Sequence, residues 1–492
     1  MSVPTIRLRD IGGRPRNEDG SYVLYWMTAA RRTGHNFALQ HAAGLAKRAG
    51  SGLVVLEALR CEYPWASDRL HSFVIDGMAD NQRALAGSAV TYYPYLEQAR
   101  GGGAGLLVAL AGKAIAVVTD DFPCFFLPSM LAAAGRKLAT QLIAVDGNGL
   151  YPMADTDRVF TTAASFRRHL QKSIRPHLAE MPLEDPLRGF DGPVATVPDD
   201  VRSRWPAIDA DEWVGNRKRL AALPIDHQVA PTALRGGSAA GANRLRVFLD
   251  EGMARYGERN QPDADAASGL SPYLHFGFIS AHEVFTRVMT HDGWDPSRIA
   301  DKATGSREGW WGASTAVESF LDELVTWREI GFNMCHKRAD YADFDSLPGW
   351  AKKTLADHAG DQRAAHYSVD QLAAAETDDP IWNAAQRQLR DTGVIHNYLR
   401  MLWGKRILEW TPSPRDALAA LIELNNRFAL DGRDPNSYSG IFWVLGRYDR
   451  AWGPERPIFG KVRYMSSAST KRKLRLSRYL ERFGAATRLI PD

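Results

Sequence analysis

The 492-residue chain has few cysteines, no long apolar run and little excess charge of either sign. Each shortage excludes something. The three cysteines, Cys61, Cys124 and Cys335, lie far apart, with no CxxC pair and no metal-ligand spacing. That speaks against a disulfide scaffold or a metal site and for reduced thiols in a cytoplasmic protein. No apolar stretch approaches the roughly 18 residues that would span a bilayer, so no membrane is expected. The N-terminal MSVPTIRLRDIGGRPRNEDG has no apolar core and does not read as a signal peptide. The glycines at 101–103 fit neither GxxxxGK[ST] nor GxGxxG, and no HxxxH or HExxH occurs. A net charge of only +4 requires any basic partner-binding face to be local. What is abundant is tryptophan: fourteen residues, twelve of them after position 200.

Patterning divides the chain. Near-continuous apolar runs at 22–28, 53–59, 89–96, 113–119 and 141–146 read as buried strands, with helical spacing at 35–49, near 71–86 and after Gly103. This predicts an α/β, Rossmann-like parallel sheet over residues 20–175, covered on both faces. Ligands of such sheets sit at the carboxyl ends of the strands, where Thr119, Asp120 and Asp146 fall. The same residues could instead cap the following helices. Residues 176–230 hold seven prolines and little periodicity, and read as an extended interdomain linker. From 231 to 492 the pattern is all-helical, for example at 242–257, 316–335, 380–390, 393–410 and 414–428. No oligomer seam is legible, so a monomer is expected.

Several clusters could carry chemistry. Trp403 and Trp410 share a helix face two turns apart, and Trp382 opens a neighbouring helix. Three core aromatics and a chain of redox-active indoles fit that spacing equally. SGLSPYLHFG (268–277) sets hydroxyls at a helix start, a weak phosphate signal. ALDGRDPNSYSG (429–440) is rich in turn formers and charge, either punctuation or a holder of a polar ring edge. KRKLRLSRYLER (471–482) has six positive residues and one negative, with Lys461 and Arg463 just upstream among aromatics. That composition suits a phosphate backbone or a solvated helix face.

Read in order, SGLSPYLHFG, FLDELVTWRE, PGWAKKTLADH, DDPIWNAAQRQL, HNYLRMLWGKRILEW, LDGRDPNSYSG and ERPIFGKVRYM resemble the class II cyclobutane pyrimidine dimer photolyases. The N-terminal half resembles them more loosely, through YVLYWM, HNFAL, the VVTD run and VDGN. The resemblance implies light-driven repair of pyrimidine dimers in DNA by reduced FAD, on a dimer flipped out of the duplex. It implies FAD held by Tyr256, Arg259, Ser268, Gly269, Leu270 and Ser271, with Arg400, Asn425 and Asp431 at the flavin ring. A dimer pocket of Asn260, Glu323, Trp327, Met401 and Trp443 is implied, with Glu323 a proton-sharing donor if its pKa is raised. Trp403, Trp382 and Trp410 would photoreduce the flavin, with Tyr367 a branch. Lys461, Arg463 and Arg447 would hold DNA, and an antenna pigment such as a deazaflavin could sit on the N-terminal domain. A cryptochrome-like receptor without repair is the alternative, and the complete dimer pocket argues against it. The sequence departs from the family pattern at Gly331–Met334 (including Phe332), Val394, Asn397 and Arg447–Tyr448.

Overall fold

The structure is a computed structural model and describes residues 2–484; the end of the expected 231–492 domain, 485–492, lies outside them. The chain forms two compact units, one of Met1–Asp157, Lys172–Arg246 and Leu270–Gly293, the other of Arg158–Gln171, Val247–Gly269 and Trp294–Asp492.

The first unit is built on strands β1 (Leu8–Asp10), β2 (Tyr22–Met27), β3 (Gly52–Leu59), β4 (Val90–Leu96), β5 (Ala114–Asp120) and β6 (Leu142–Val145). Their order is β1-β6-β5-β2-β3-β4, parallel except for β1, which pairs antiparallel with β6 at the edge. Five of the strands fall where the apolar runs lie. β1 is three residues of LRD, too short and too polar to show a period. One sheet face buries Leu24, Val54, Leu56 and Val117; the other buries Val23, Tyr25, Val55 and Val118. Burial on both faces is why these strands read as continuous apolar runs rather than alternating ones.

β2 lies between β3 and β5, so the strand order reverses there, the place where sheets of this kind bind ligands at the strand ends. Asp120 fills that position with protein contacts. Its Oδ1 accepts from the Tyr25 hydroxyl at 2.8 Å, and its Oδ2 accepts the Thr28, Ala29 and Ala30 N–H groups at 2.8, 2.7 and 3.0 Å. Asp146 likewise accepts from the backbone of Asn148 (3.1 Å) and Met153 (2.7 Å), and Thr119 donates to the Trp26 carbonyl at 2.8 Å. These residues neither cap the next helix nor stand free for a ligand; they pin the loops that follow the strands.

The proline-rich 176–230 stretch is not a connector here. Val197, Val201 and Trp205 join the sheet core, and Ala210, Trp213, Leu220 and Leu223 pack with Val74, Ile75 and Met78. Proline removes helical periodicity without removing the apolar side chains that seek burial. Two other segments cross the expected 20–175 and 231–492 boundaries. Residues 270–293 group with the sheet because Phe73 packs on Tyr273, Phe276 and Phe278, with ring centroids 5.3–5.7 Å apart. Residues 158–171 group with the helical unit, where Arg167 forks onto Asp322 (2.7 and 2.9 Å) and Gln171 donates to the Ser306 carbonyl.

The second unit is helical, with its longest helices at Pro380–Thr392, Asn397–Trp410 and Pro414–Phe428. The expected 316–335 helix runs as Thr315–Leu321 and Arg328–Lys337, joined by a widened π turn at Asp322–Trp327. Gly331 lies where Arg328–Lys337 meets Pro435–Val444. A Cβ there would come within 2.7 Å of the Pro435 carbonyl oxygen and the Ser439 hydroxyl, so only glycine allows this approach.

Candidate active site

The π turn presents Glu323 and Trp327 as the half-buried positions of an otherwise buried run. An inserted residue re-aims side chains that a regular helix would send elsewhere, and such turns recur at functional sites. The Glu323 side chain keeps 37% of its surface accessible, and Arg259 Nη2 stands 3.4 Å from its Oε1. Burial pushes the Glu323 carboxyl above the ordinary glutamate value, and the lowering by Arg259 does not cancel it. Arg259 lies over the Tyr256 ring at 4.7 Å, and its carbonyl is held by His396 Nε2 at 2.9 Å. Tyr256 itself is buried between Phe248 and Phe320. Asn260 follows Arg259 and is exposed.

A second cluster is fixed on Asn397–Trp410 and its neighbours. Arg400 Nη2 donates to both Asp431 oxygens, at 2.9 and 3.0 Å, and Nη1 reaches Asn425 Oδ1 at 3.4 Å. Asn425 is anchored through its nitrogen, which donates to Ser437 (2.7 Å) and Asn426 (3.1 Å). Met401, one residue on from Arg400, faces Gly440 of Pro435–Val444. Of the residues expected in a dimer pocket, Glu323 and Trp327 share the π turn, Glu323 meets Arg259 of the expected FAD set, and Met401 meets the helix that carries Trp443. Ser268 and Gly269 end a segment of the helical unit, and Leu270 and Ser271 begin one of the sheet unit. Gly269 has φ +66°, a turn that suits glycine.

The tryptophans form a contiguous path. Trp403 and Trp382 stack with centroids 6.4 Å apart and planes within 4°, Trp382 meets Trp410 edge-on at 5.3 Å, and Trp410 meets Tyr367 edge-on at 5.1 Å. Trp382 Nε1 donates to the Trp403 carbonyl and Trp403 Nε1 to Gln386, both at 2.9 Å. All three indoles are buried, and Tyr367 is half-buried.

Of the three expected DNA-binding residues, two reach solvent. Lys461 is exposed and pairs with Glu455 at 3.2 Å. Arg463 lies over Trp452 (4.0 Å) and Trp443 (5.4 Å), pinned by Asp449 at 2.8 Å. Burial raises the Asp449 carboxyl, but hydrogen bonds from Arg463, the Arg450 N–H and Trp452 outweigh it and hold it below the usual range. Arg447 corrects the expectation. It is 2% exposed, its guanidinium sits 3.6 Å over the Phe442 ring, and it donates to the Tyr341 carbonyl and the Ser346 hydroxyl. Gly446 (φ +107°) and Tyr448 (φ +64°) turn the chain so that both Arg447 and Tyr448 point into the core. Phe332 is buried too, and Asn333 bonds the backbone of Phe160 and Arg158. These departures from the family pattern are therefore packing changes. Asn397 is exposed at the start of its helix and Val394 is half-buried; nothing in the structure explains either departure.

Sequence reasoning missed Lys405. It is fully buried, donates to the Val444 carbonyl at 2.6 Å and lies 4.9 Å from the Trp443 ring centre. Burial pulls its pKa down to about 7. The one available signal was a lysine on a helix rich in apolar and aromatic residues. Asp449, which pins Arg463, carried no role in the sequence reading, whereas Trp452 was among the aromatics noted beside the basic residues.

No family-level sequence profile matches the chain. Curated relatives do. It is 33% identical over 480 residues to a deoxyribodipyrimidine photo-lyase of Methanothermobacter thermautotrophicus, covering 97% of each chain. It is 34% identical to the deoxyribodipyrimidine photo-lyase of Oryza sativa subsp. japonica (95% of this chain, 88% of the relative) and 31% to that of Potorous tridactylus (94% and 81%). Among solved structures, a bacterial class III photolyase from Agrobacterium tumefaciens shares the fold, with TM-score 0.66 and 18% identity over 94% of this chain and 86% of that one.

Proposed function

The chain belongs to the deoxyribodipyrimidine photolyases, and from that premise we propose that it is a light-driven DNA repair enzyme of class II that splits cyclobutane pyrimidine dimers using reduced FAD. The observation that carries the reading is the load on one helix. Asn397–Trp410 holds Arg400, Met401, Trp403 and Trp410, so a ring-edge cation, a pocket wall and both ends of the indole path keep fixed relative positions. The donor set fits a flavin. The Arg400–Asp431 pair offers charge of both signs to a polar ring edge, and Asn425, anchored through its nitrogen, presents its oxygen beside them. Tyr256, Arg259 and the 268–271 run would take the rest of the cofactor, as the family resemblance implies. Bound there, FAD would supply the photoexcited electron that opens the cyclobutane ring.

The chain's own residues do the remainder. Trp327 and Trp443 offer flat apolar walls to extruded bases. Glu323, protonated more readily than an ordinary glutamate, can donate a hydrogen bond where negative charge develops on a base carbonyl. Arg259 orients that carboxyl, and Asn260 and Met401 complete the pocket. Trp403, Trp382 and Trp410 carry electrons inward through ring contacts. Lys461 and Arg463 would hold the strand backbone. A second pigment such as a deazaflavin on the sheet unit is carried by the family resemblance alone.

The test is light-dependent repair by the chemically reduced protein of an oligonucleotide bearing one thymine cyclobutane dimer, followed as recovery of thymine absorbance against a dark control. Recovery only in the light is expected. A yellow, FAD-loaded protein that repairs nothing would overturn the proposal in favour of a receptor on the same fold.

A further inference from the structure

The basic stretch KRKLRLSRYLER (471–482) has no part in the pocket described above. Its six cations against the one acid, Glu481, outweigh the net charge of +4 of the whole chain, so the remainder is slightly acidic. Attraction for a polyanion is therefore concentrated in this stretch. Packing decides how it is presented. Leu476, Tyr479 and Phe483 are buried, while Lys471, Arg472, Lys473, Arg475, Arg478 and Arg482 are all exposed. Lys471, Arg472 and Lys473 form the last turn of the helix Ser467–Lys473 and make no ion pair among the described residues. Like charges so close repel one another, a cost that a polyanion relieves.

The stretch is docked in place. Asp263 Oδ1 accepts the Tyr479 N–H at 2.8 Å and Oδ2 the Arg478 N–H at 3.3 Å, which satisfies two open donors of the helix Ser477–Phe483. Gln261 accepts the Arg475 N–H at 2.9 Å. Farther along, the Tyr479 hydroxyl donates to Gln388 at 2.8 Å, and Arg387 donates to the Phe483 and Gly484 carbonyls at 3.2 and 2.8 Å. Gln261 and Asp263 lie one and three residues beyond Asn260, on the loop whose Arg259 meets Glu323.

Resting on the repair reading for its partner, we propose that the 471–482 stretch is a lesion-independent grip on DNA, a cationic surface for the sugar–phosphate backbone held to the pocket loop by Gln261 and Asp263. Backbone contacts fix position and carry no information about the bases. The stretch therefore supplies affinity for damaged and undamaged duplex alike, and the pocket supplies the discrimination between them. Each phosphate it neutralises releases condensed counterions, which makes the grip salt-dependent.

The experiment measures binding of the full chain to an undamaged duplex, and to the same duplex with one thymine cyclobutane dimer, across a salt series. Wild type is compared with three triple variants: K471Q/R472Q/K473Q, the charge-conserving K471R/R472K/K473R, and R217Q/K218Q/R219Q, which removes the same charge from another exposed run. Circular dichroism confirms the fold of each. K471Q/R472Q/K473Q should flatten the slope of log affinity against log salt by about 2 to 3 on both duplexes and weaken binding at low salt about tenfold or more. The preference for the damaged duplex should stay as in wild type. The charge-conserving variant and R217Q/K218Q/R219Q should keep the wild-type slope. An unchanged slope in K471Q/R472Q/K473Q, or an equal loss in R217Q/K218Q/R219Q, would overturn the inference while leaving the repair reading intact. Loss of binding to phosphatidylserine vesicles but not to duplex would assign the stretch to a membrane surface instead. A protein that grips duplex through these cations yet repairs nothing in the light would overturn the repair reading and leave the grip standing.

Discussion

Glu323 concentrates the chemistry of the pocket in one proton. Its raised pKa comes from burial, opposed by Arg259, so the carboxyl is protonated below that value and loses its donor as pH rises through it. The quantum yield of repair should fall along that limb. Glu323→Gln, which keeps a donor and cannot titrate, should flatten the profile; an unchanged pH limb would mean that another group titrates. Glu323→Ala should lower repair about tenfold or more with FAD still bound, the order expected for losing one hydrogen bond to a charged group. The same scale shows what sequence hides. Arg447 was expected at DNA and Lys405 drew no reading, yet one closes over Phe442 and the other is sealed beside Trp443. Charge in a sequence does not say which side of a helix or turn it will face.

Elements position these residues, and two of them carry testable consequences. The stacked and edge-on contacts of Trp403, Trp382 and Trp410 depend on Asn397–Trp410 packing beside Pro380–Thr392. Trp403→Phe should block photoreduction of oxidised FAD while leaving repair by chemically reduced protein intact; normal photoreduction would show that electrons travel by another route. The close approach of Arg328–Lys337 to Pro435–Val444 rests on Gly331. Gly331→Ala forces a methyl group against the Pro435 carbonyl and should cost about 1–3 kcal/mol, read by urea denaturation. Helical periodicity marked the first of these two, whereas 429–440 read as a turn-rich loop and Pro435–Val444 is a helix. It could not show the π turn at Asp322–Trp327, because one extra residue in a turn alters the spacing less than the scatter of apolar positions does.

At the scale of the whole molecule, a net charge of +4 leaves DNA affinity to local cations. Binding of a dimer-bearing duplex should weaken steeply with salt, and Lys461→Ala should reduce the slope of log affinity against log salt by about one. Arg447→Lys should leave that slope unchanged, since its side chain is buried; a changed slope would place Arg447 at the DNA. The sequence by itself determined the strand runs of the sheet, the helical second half and the family motifs with their order. These are local: they rest on neighbouring residues and on periods of a few positions. Tertiary structure alone decided that the proline-rich 176–230 stretch joins the core of the sheet unit and that residues 270–293 do the same. It also decided that Asp120 and Asp146 pin loops. Each of these depends on which groups meet across long stretches of chain, where burial and hydrogen-bond satisfaction are settled by the packed whole rather than by local pattern.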